Sequence, residues 1–175
     1  EHGQLTSWYN CGPPPRISCG TPASHIRSYL WQAAKAELDI VAWWGIQCWQ
    51  SHHDVWYNKY SHWNSVMYPR HPKKGAWIKK GKGWCDTLID SIRWELIREG
   101  MEDAAYVVKL RNLIQQARKD GHQEMADEAQ SVLDEIWNDV FPTLNHYKPE
   151  YETVMECRRR VAEAILDLQA AGKKK

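Results

Sequence analysis

Apolar residues return every three or four positions through the second half of the chain. Tyr106, Leu110, Leu113, Ile114 and Ala117 keep helical spacing, and Asp120-Gly121 ends the run. Met125, Ala129, Val132, Leu133, Ile136 and Val140 repeat the pattern, and Phe141-Pro142 closes it, because proline cannot continue a helix. Val154, Cys157, Val161, Ile165 and Leu168 predict a third helix, entered near Pro149 and ended at Gly172. Three amphipathic helices on short loops pack as antiparallel neighbours. Lys173, Lys174 and Lys175 read as a solvated tail.

The first half, to about Gly83, is patterned differently and is rich in Gly, Pro, His and Trp. Gln4 to Tyr9 predicts a short strand that stops at Asn10, before Gly12-Pro13-Pro14-Pro15. Thr21-Pro22 is a helix start, with Thr as the N-cap and Pro at the first helical position. The helix should run to about Ala36, with Ile26, Leu30, Ala33 and Ala34 facing inward. Leu38 to Ile46 is a nearly continuous apolar run, which suits a strand covered on both faces. Strand, helix, strand is a βα-β unit of an α/β fold. Two strands can neither bury both faces of Leu38 to Ile46 nor close a barrel. The expectation is therefore an assembly with an upstream portion of the same protein or with a partner chain. No internal repeat or long low-complexity stretch is evident.

With 175 residues the chain can bury a real core, and a formal net charge of +1 supplies no field toward nucleic acid or membrane. No apolar stretch is long enough to span a bilayer, and no leader peptide is visible. The chain starts at Glu1 rather than Met, which reads as a processed product or fragment and leaves the compartment unassigned. The five cysteines, Cys11, Cys19, Cys48, Cys85 and Cys157, are odd in number and lack CxxC spacing. Free thiols are the simpler reading, and a Cys11–Cys19 bridge is the alternative.

Tryptophan changes the picture most. There are 11 Trp against one Phe, and ten of them lie at or before Trp94. Trp has a wide polarisable face and an N–H donor, so clusters of it line surfaces for flat, partly polar ligands; about half should be ordinary core residues. In barrel and doubly wound folds ligands sit at the C-terminal ends of parallel strands. Here those ends are Trp8-Tyr9-Asn10 and Trp43-Trp44-Gly45-Ile46-Gln47-Cys48-Trp49, each joining aromatic faces to an amide. Trp stacks on a pyranose ring, while Asn and Gln bond its hydroxyls as donor and acceptor. Alternation puts Trp43 and Trp44 on opposite sheet faces. Trp8, Tyr9, Asn10, Trp44, Gln47 and Trp49 are the candidate carbohydrate-binding residues; the competing reading is plain core packing.

One stretch carries a family resemblance. Ser91-Ile92-Arg93-Trp94-Glu95-Leu96-Ile97-Arg98-Glu99-Gly100-Met101-Glu102-Asp103-Ala104-Ala105-Tyr106 resembles the SIRxExLRxGxEDxxY signature near the end of the domain of unknown function 4091. That domain is the catalytic-barrel region of glycoside hydrolase family 123 and its relatives. Trp8-Tyr9 resembles its seventh-strand WYY-like segment. Ala42-Trp43-Trp44-Gly45-Ile46-Gln47-Cys48-Trp49 resembles its eighth-strand YWGxNxW segment. Order and spacing agree over roughly residues 4 to 115. The resemblance implies the last βα units of a (β/α)8 barrel over residues 1–100 and a helical extension over 101–175. It also implies glycoside hydrolysis by a substrate-assisted retaining mechanism, some members releasing terminal N-acetylgalactosamine. A Glu protonates the leaving oxygen and an adjacent Asp orients the 2-acetamido group. That pair belongs to the fourth strand, upstream of Glu1, so no catalytic residue is assigned here. Two departures bear on substrate class: Lys80-Gly81-Lys82-Gly83-Trp84-Cys85-Asp86 lacks the family's YPG, and Gln47 stands for the commoner Asn.

The remaining acidic residues read as structural. Arg93, Glu95, Arg98 and Asp103 form a predicted ion-pair network on a helix, with direct ligand contact by Arg93 as the alternative. Asp134-Glu135 and Glu102-Asp103 fall in helical segments and read as solvated or ion-paired surface carboxylates, not as the acid/base pair. His52-His53-Asp54 with His25 or His62 matches no ligand spacing, so neither metal nor cofactor is expected. Arg70, Lys73, Lys74, Lys79, Lys80 and Lys82 with His71, Trp77 and Trp84 could suit single-stranded nucleic acid, but a solvated loop fits the net charge better. Cysteine catalysis through Cys11 or Cys48 has no supporting local motif. A non-catalytic carbohydrate-binding or structural module is the second functional reading.

Overall fold

The structure is a computed structural model that describes residues 5–10, 23–43, 67–69, 88–143 and 146–172. The described chain is mostly helical, with a small two-stranded parallel sheet. Strand β1 (Ser7–Asn10) is followed by helix α1 (Ala23–Lys35) and strand β2 (Ile40–Trp43). The strands pair in parallel, with Ser7 opposite Ile40 and Asn10 opposite Trp43. This is the βα-β order read from the sequence.

Both strands begin later than the apolar runs suggest. Leu38 is spent on closing α1, its N–H donating to Ala33 O at 3.1 Å. Asp39 clamps the two strand starts instead: its carboxylate accepts from Thr6 N at 2.8 Å and Thr6 Oγ1 at 3.0 Å. The Thr6 carbonyl accepts from the N–H groups of both Asp39 and Ile40. The Thr6 N–H and hydroxyl, donating to it, hold the Asp39 carboxyl below its ordinary value.

A second strand pair was not anticipated. Strand β3 (Met67–Pro69) runs antiparallel to β4 (Leu88–Asp90), with Tyr68 opposite Ile89. Runs of three residues, one ending in proline, are too short to carry a strand period. Strand β4 leads into Ser91, whose Oγ accepts from Arg93 N at 3.2 Å and Trp94 N at 3.4 Å and so caps helix α2 (Ile92–Lys119). Helices α3 (Gln123–Asp139) and α4 (Tyr151–Gly172) complete the order.

The helices inferred from periodicity are present, but α2 is longer than its cleanest pattern. It starts at Ile92 rather than near Tyr106, so the boundary drawn between residues 100 and 101 falls inside one unbroken helix. Its buried side, Ile97, Gly100, Asp103, Val107, Leu110, Ile114 and Ala117, keeps helical spacing throughout, with a glycine and an aspartate where an apolar residue would be expected. Gly100 has a packing reason. A Cβ there would meet Leu30 Cδ1 at 2.8 Å and Arg27 Cα at 3.3 Å, so α1 and α2 cross where only hydrogen fits.

Among the described residues two clusters form the core. Ile26, Tyr29 and Leu30 of α1 pack with Leu96 and Ile97 of α2, and Trp8 and Val41 rest on them from the sheet. The larger cluster joins Trp31 and Ala34 of α1 to the buried faces of α2, α3 and α4. Trp31 stacks on Phe141, centroids 5.6 Å apart at 10°, and meets Trp137 edge-on at 6.0 Å. Among the described residues no helix is long and apolar enough to cross a membrane.

Candidate functional site

The paired strands separate the aromatic residues at their ends. Trp8 lies on the α1 side, its ring 4.5 Å from that of Tyr29 and tilted by 41°, while Tyr29 Oη donates to the Trp8 carbonyl at 3.4 Å. Tyr9 projects to the other face and is 51% exposed, beside Ile40 at 44%. Trp8 and Tyr9 therefore cannot share one sugar-facing wall: successive residues of a strand point to opposite faces. Trp8 is a packing residue beneath α1, and Tyr9 is the open aromatic face. Asn10 and Trp43 pair at the C-terminal end of the sheet by backbone position. Trp44, Gln47 and Trp49 lie outside the described residues. So do Cys11, Cys19, Cys48 and Cys85, the histidines at 52, 53 and 62, and the basic stretch from Arg70 to Trp84.

A second constellation is better defined, and it is buried. Arg27 of α1 and Asp103 of α2 are 1% and 0% exposed. Arg27 Nε donates to Asp103 Oδ2 at 2.9 Å, and Nη2 reaches Oδ1 at 2.8 Å and Oδ2 at 2.7 Å. Trp31 Nε1 donates to Oδ2 at 3.0 Å, and Arg158 Nη1 of α4 stands 3.5 Å from Oδ1. Burial pushes the Asp103 carboxyl up, while Arg27, Trp31 and Arg158 oppose that shift. With these donors on two oxygens the group is a carboxylate in the neutral range, since a neutral acid would strand the Arg27 cation.

The charge network continues outward. Arg158 bonds Glu99 at 2.8 Å and Glu102 at 3.1 Å, and lies 5.3 Å above the Tyr106 ring. Arg98 bonds Glu95 at 2.9 Å and Glu102 at 2.6 Å along the exposed side of α2. Arg93 lies at the start of the same helix, half-buried. Of the four charged residues singled out in the signature, Asp103 alone is buried, which overturns the surface reading for that half of Glu102-Asp103, and its main partner, Arg27, was not foreseen. Asp134 accepts from Gln130 at 2.9 Å and Glu135 pairs with Arg160, both on the surface of α3.

Two cations seal helix ends nearby. Lys35 Nζ donates to the carbonyls of Trp137 in the last turn of α3 and of Phe141 and Pro142 beyond it, and Arg111 Nη1 donates to Ala34 O at 2.6 Å in the last turn of α1. These groups edge a cleft of about 350 Å³ with Glu37, Asp134 and Trp137. The charges of Lys35 and Arg111 are spent on the negative ends of helix dipoles, and Arg118, which also lines the cleft, pairs with Asp127 at 3.2 Å. Cys157 is a buried free thiol, pushed up to about 11 by burial, which keeps it protonated and unreactive. His25 Nδ1 shares a 2.7 Å hydrogen bond with Tyr147 Oη, and burial lowers its pKa while Glu150 opposes. Among the described residues no three His, Cys, Asp or Glu side chains are grouped to hold a metal ion.

Among the described residues, fold and site together define a mostly helical arrangement around a parallel βα-β unit, locked by a buried arginine–aspartate pair. Set against known proteins, the chain matches no family model, no curated protein and no solved structure.

Proposed function

We propose that the chain forms the last βα units of a (β/α)8 barrel that binds and hydrolyses glycosides, its own share being an aromatic wall for the sugar. The observation that carries this reading is the parallel β1–α1–β2 unit, one face packed under α1 and the other leaving Tyr9 and Ile40 open. The wall is Tyr9 with Trp44, Gln47 and Trp49 from the segment after β2; Trp8 is withdrawn from it. An upstream portion of the same protein or a partner chain supplies further strands and the Asp-Glu pair. That pair would carry substrate-assisted hydrolysis of an N-acetylated glycoside. The signature around Arg93 to Tyr106 adds the family resemblance.

The chain by itself should bind sugar weakly and cleave nothing. Titration with N-acetylgalactosamine and a panel of other pyranosides, read by tryptophan fluorescence, should give saturable binding. Trp44→Ala should weaken it by about 1–3 kcal/mol if the ring is a stacking platform. Unchanged affinity with intact circular dichroism would remove Trp44 from the wall, and no response to any sugar would end the carbohydrate reading. A non-catalytic carbohydrate-binding module is separated from a hydrolase by assaying the chain joined to its upstream sequence on an aryl glycoside.

A further inference from the structure

Arg27 brings five N–H donors into a site that is 1% exposed. Asp103 takes Nε and Nη2 at 2.7–2.9 Å. Nη1 meets a different partner, Met155 Sδ of α4, at 3.0 Å. A thioether is a weak acceptor, so this donor of a buried cation recovers little of the hydration it lost. The Tyr151 ring flanks the guanidinium with its centroid 6.0 Å from Cζ. Met155 is itself 37% exposed, so its side chain spans from the buried cation to the surface.

We propose that Met155 is a redox-responsive cap on the Arg27–Asp103 pair. A peroxide is the oxidant. A sulfur lone pair attacks the peroxide O–O bond, an S–O bond forms, the O–O bond breaks, and hydrogen peroxide leaves as water; sulfur loses two electrons and the peroxide gains them. Sulfoxidation of a core methionine ordinarily destabilises, because it buries a dipole without a partner. Here the new oxygen forms beside a buried N–H of a cation and becomes the strong acceptor that Nη1 lacks. Met155 has an unbranched side chain with three rotatable bonds, which lets the sulfur withdraw and admit the oxygen. Oxidation at this one position therefore tightens the junction of α1, α2 and α4.

The test compares wild type with Met155→Leu after hydrogen peroxide treatment, with sulfoxide at each methionine read by peptide mass spectrometry. Oxidised wild type should melt about 2–4 °C above identically treated Met155→Leu, the shift a chain of this length shows for one gained charge-assisted hydrogen bond. Methionine sulfoxide reductases should reverse the gain. Met155→Gln places an amide oxygen at similar reach without oxidant, and it should exceed Met155→Leu by a similar margin. The proposal is overturned if the sulfoxide lowers the midpoint or leaves it unchanged, or if Met155→Gln does not exceed Met155→Leu. It is also overturned if Met155 stays reduced at a peroxide dose that converts Met101, which is 60% exposed on α2.

Discussion

Asp103 sits where an apolar residue would normally fill the face of α2, and three other side chains exist in their present places because of it. Arg27 closes a fork on both oxygens, Trp31 turns its N–H inward, and Arg158 approaches from α4. Removing the carboxylate strands the Arg27 cation in a site that water does not reach. Asp103→Ala should cost about 3–5 kcal/mol, read as a lower urea midpoint at unchanged slope. Arg98→Ala, on the exposed network of the same helix, should cost less than about 1 kcal/mol, because solvent screens those pairs. Equal losses for the two variants would remove burial as the cause. The sequence marked Asp103 as a charge on a packed helix and read it as structural. It gave no sign of Arg27, which looked like one more polar residue in an amphipathic segment, since local spacing says nothing about a partner 76 positions away.

At the scale of elements, caps decide where periodic patterns stop. The end of α2 is closed by His122 N–H donating to Ala117 O at 2.9 Å and Gly121 N–H donating to Arg118 O at 3.3 Å. Gly121 adopts φ +85°, a left-handed conformation open to glycine. The end of α1 uses the same pattern, Leu38 to Ala33 and Glu37 to Ala34, but the left-handed position is filled by Glu37 at φ 54°. Gly121→Ala should therefore destabilise by about 1–2 kcal/mol through backbone strain, since a Cβ there meets no other atom. An unchanged midpoint would mean that the turn relaxes out of the left-handed region. Asp120-Gly121 was legible as a stop because glycine announces it. The end of α1 was placed within a residue but its geometry was hidden, because glutamate does not advertise positive φ. The late start of β2 follows from the same cap, which takes Leu38 out of the apolar run.

At the scale of the whole molecule, α2 belongs to both hydrophobic clusters. Leu96 and Ile97 serve the one under the sheet, and Val107, Leu110 and Ile114 serve the one shared with α3 and α4. Trp31 and the Arg27–Asp103 pair stitch α1 to that same helix. Thermal unfolding followed by tryptophan fluorescence and by far-ultraviolet circular dichroism should give coincident transitions, since neither cluster can be lost without breaking α2. Two separated transitions would show that residues before and after position 100 fold independently.

The features legible along the chain were periodic and local: the three helices beyond Ile92, the strand–helix–strand order ahead of them, and the glycine that ends α2. Repeats of 3.6 and the chemistry of caps and turns are properties of neighbouring residues, so they survive without a third dimension. The tertiary structure alone decided which sheet face α1 covers. Strand alternation already parted Trp8 from Tyr9; that choice covered the first and left the second open. It alone decided that Asp103 pairs with Arg27 and that Met155 completes the shell. Those outcomes depend on how α1 crosses α2 at Gly100, a geometry set by close approach of two backbones and written in no single stretch of chain.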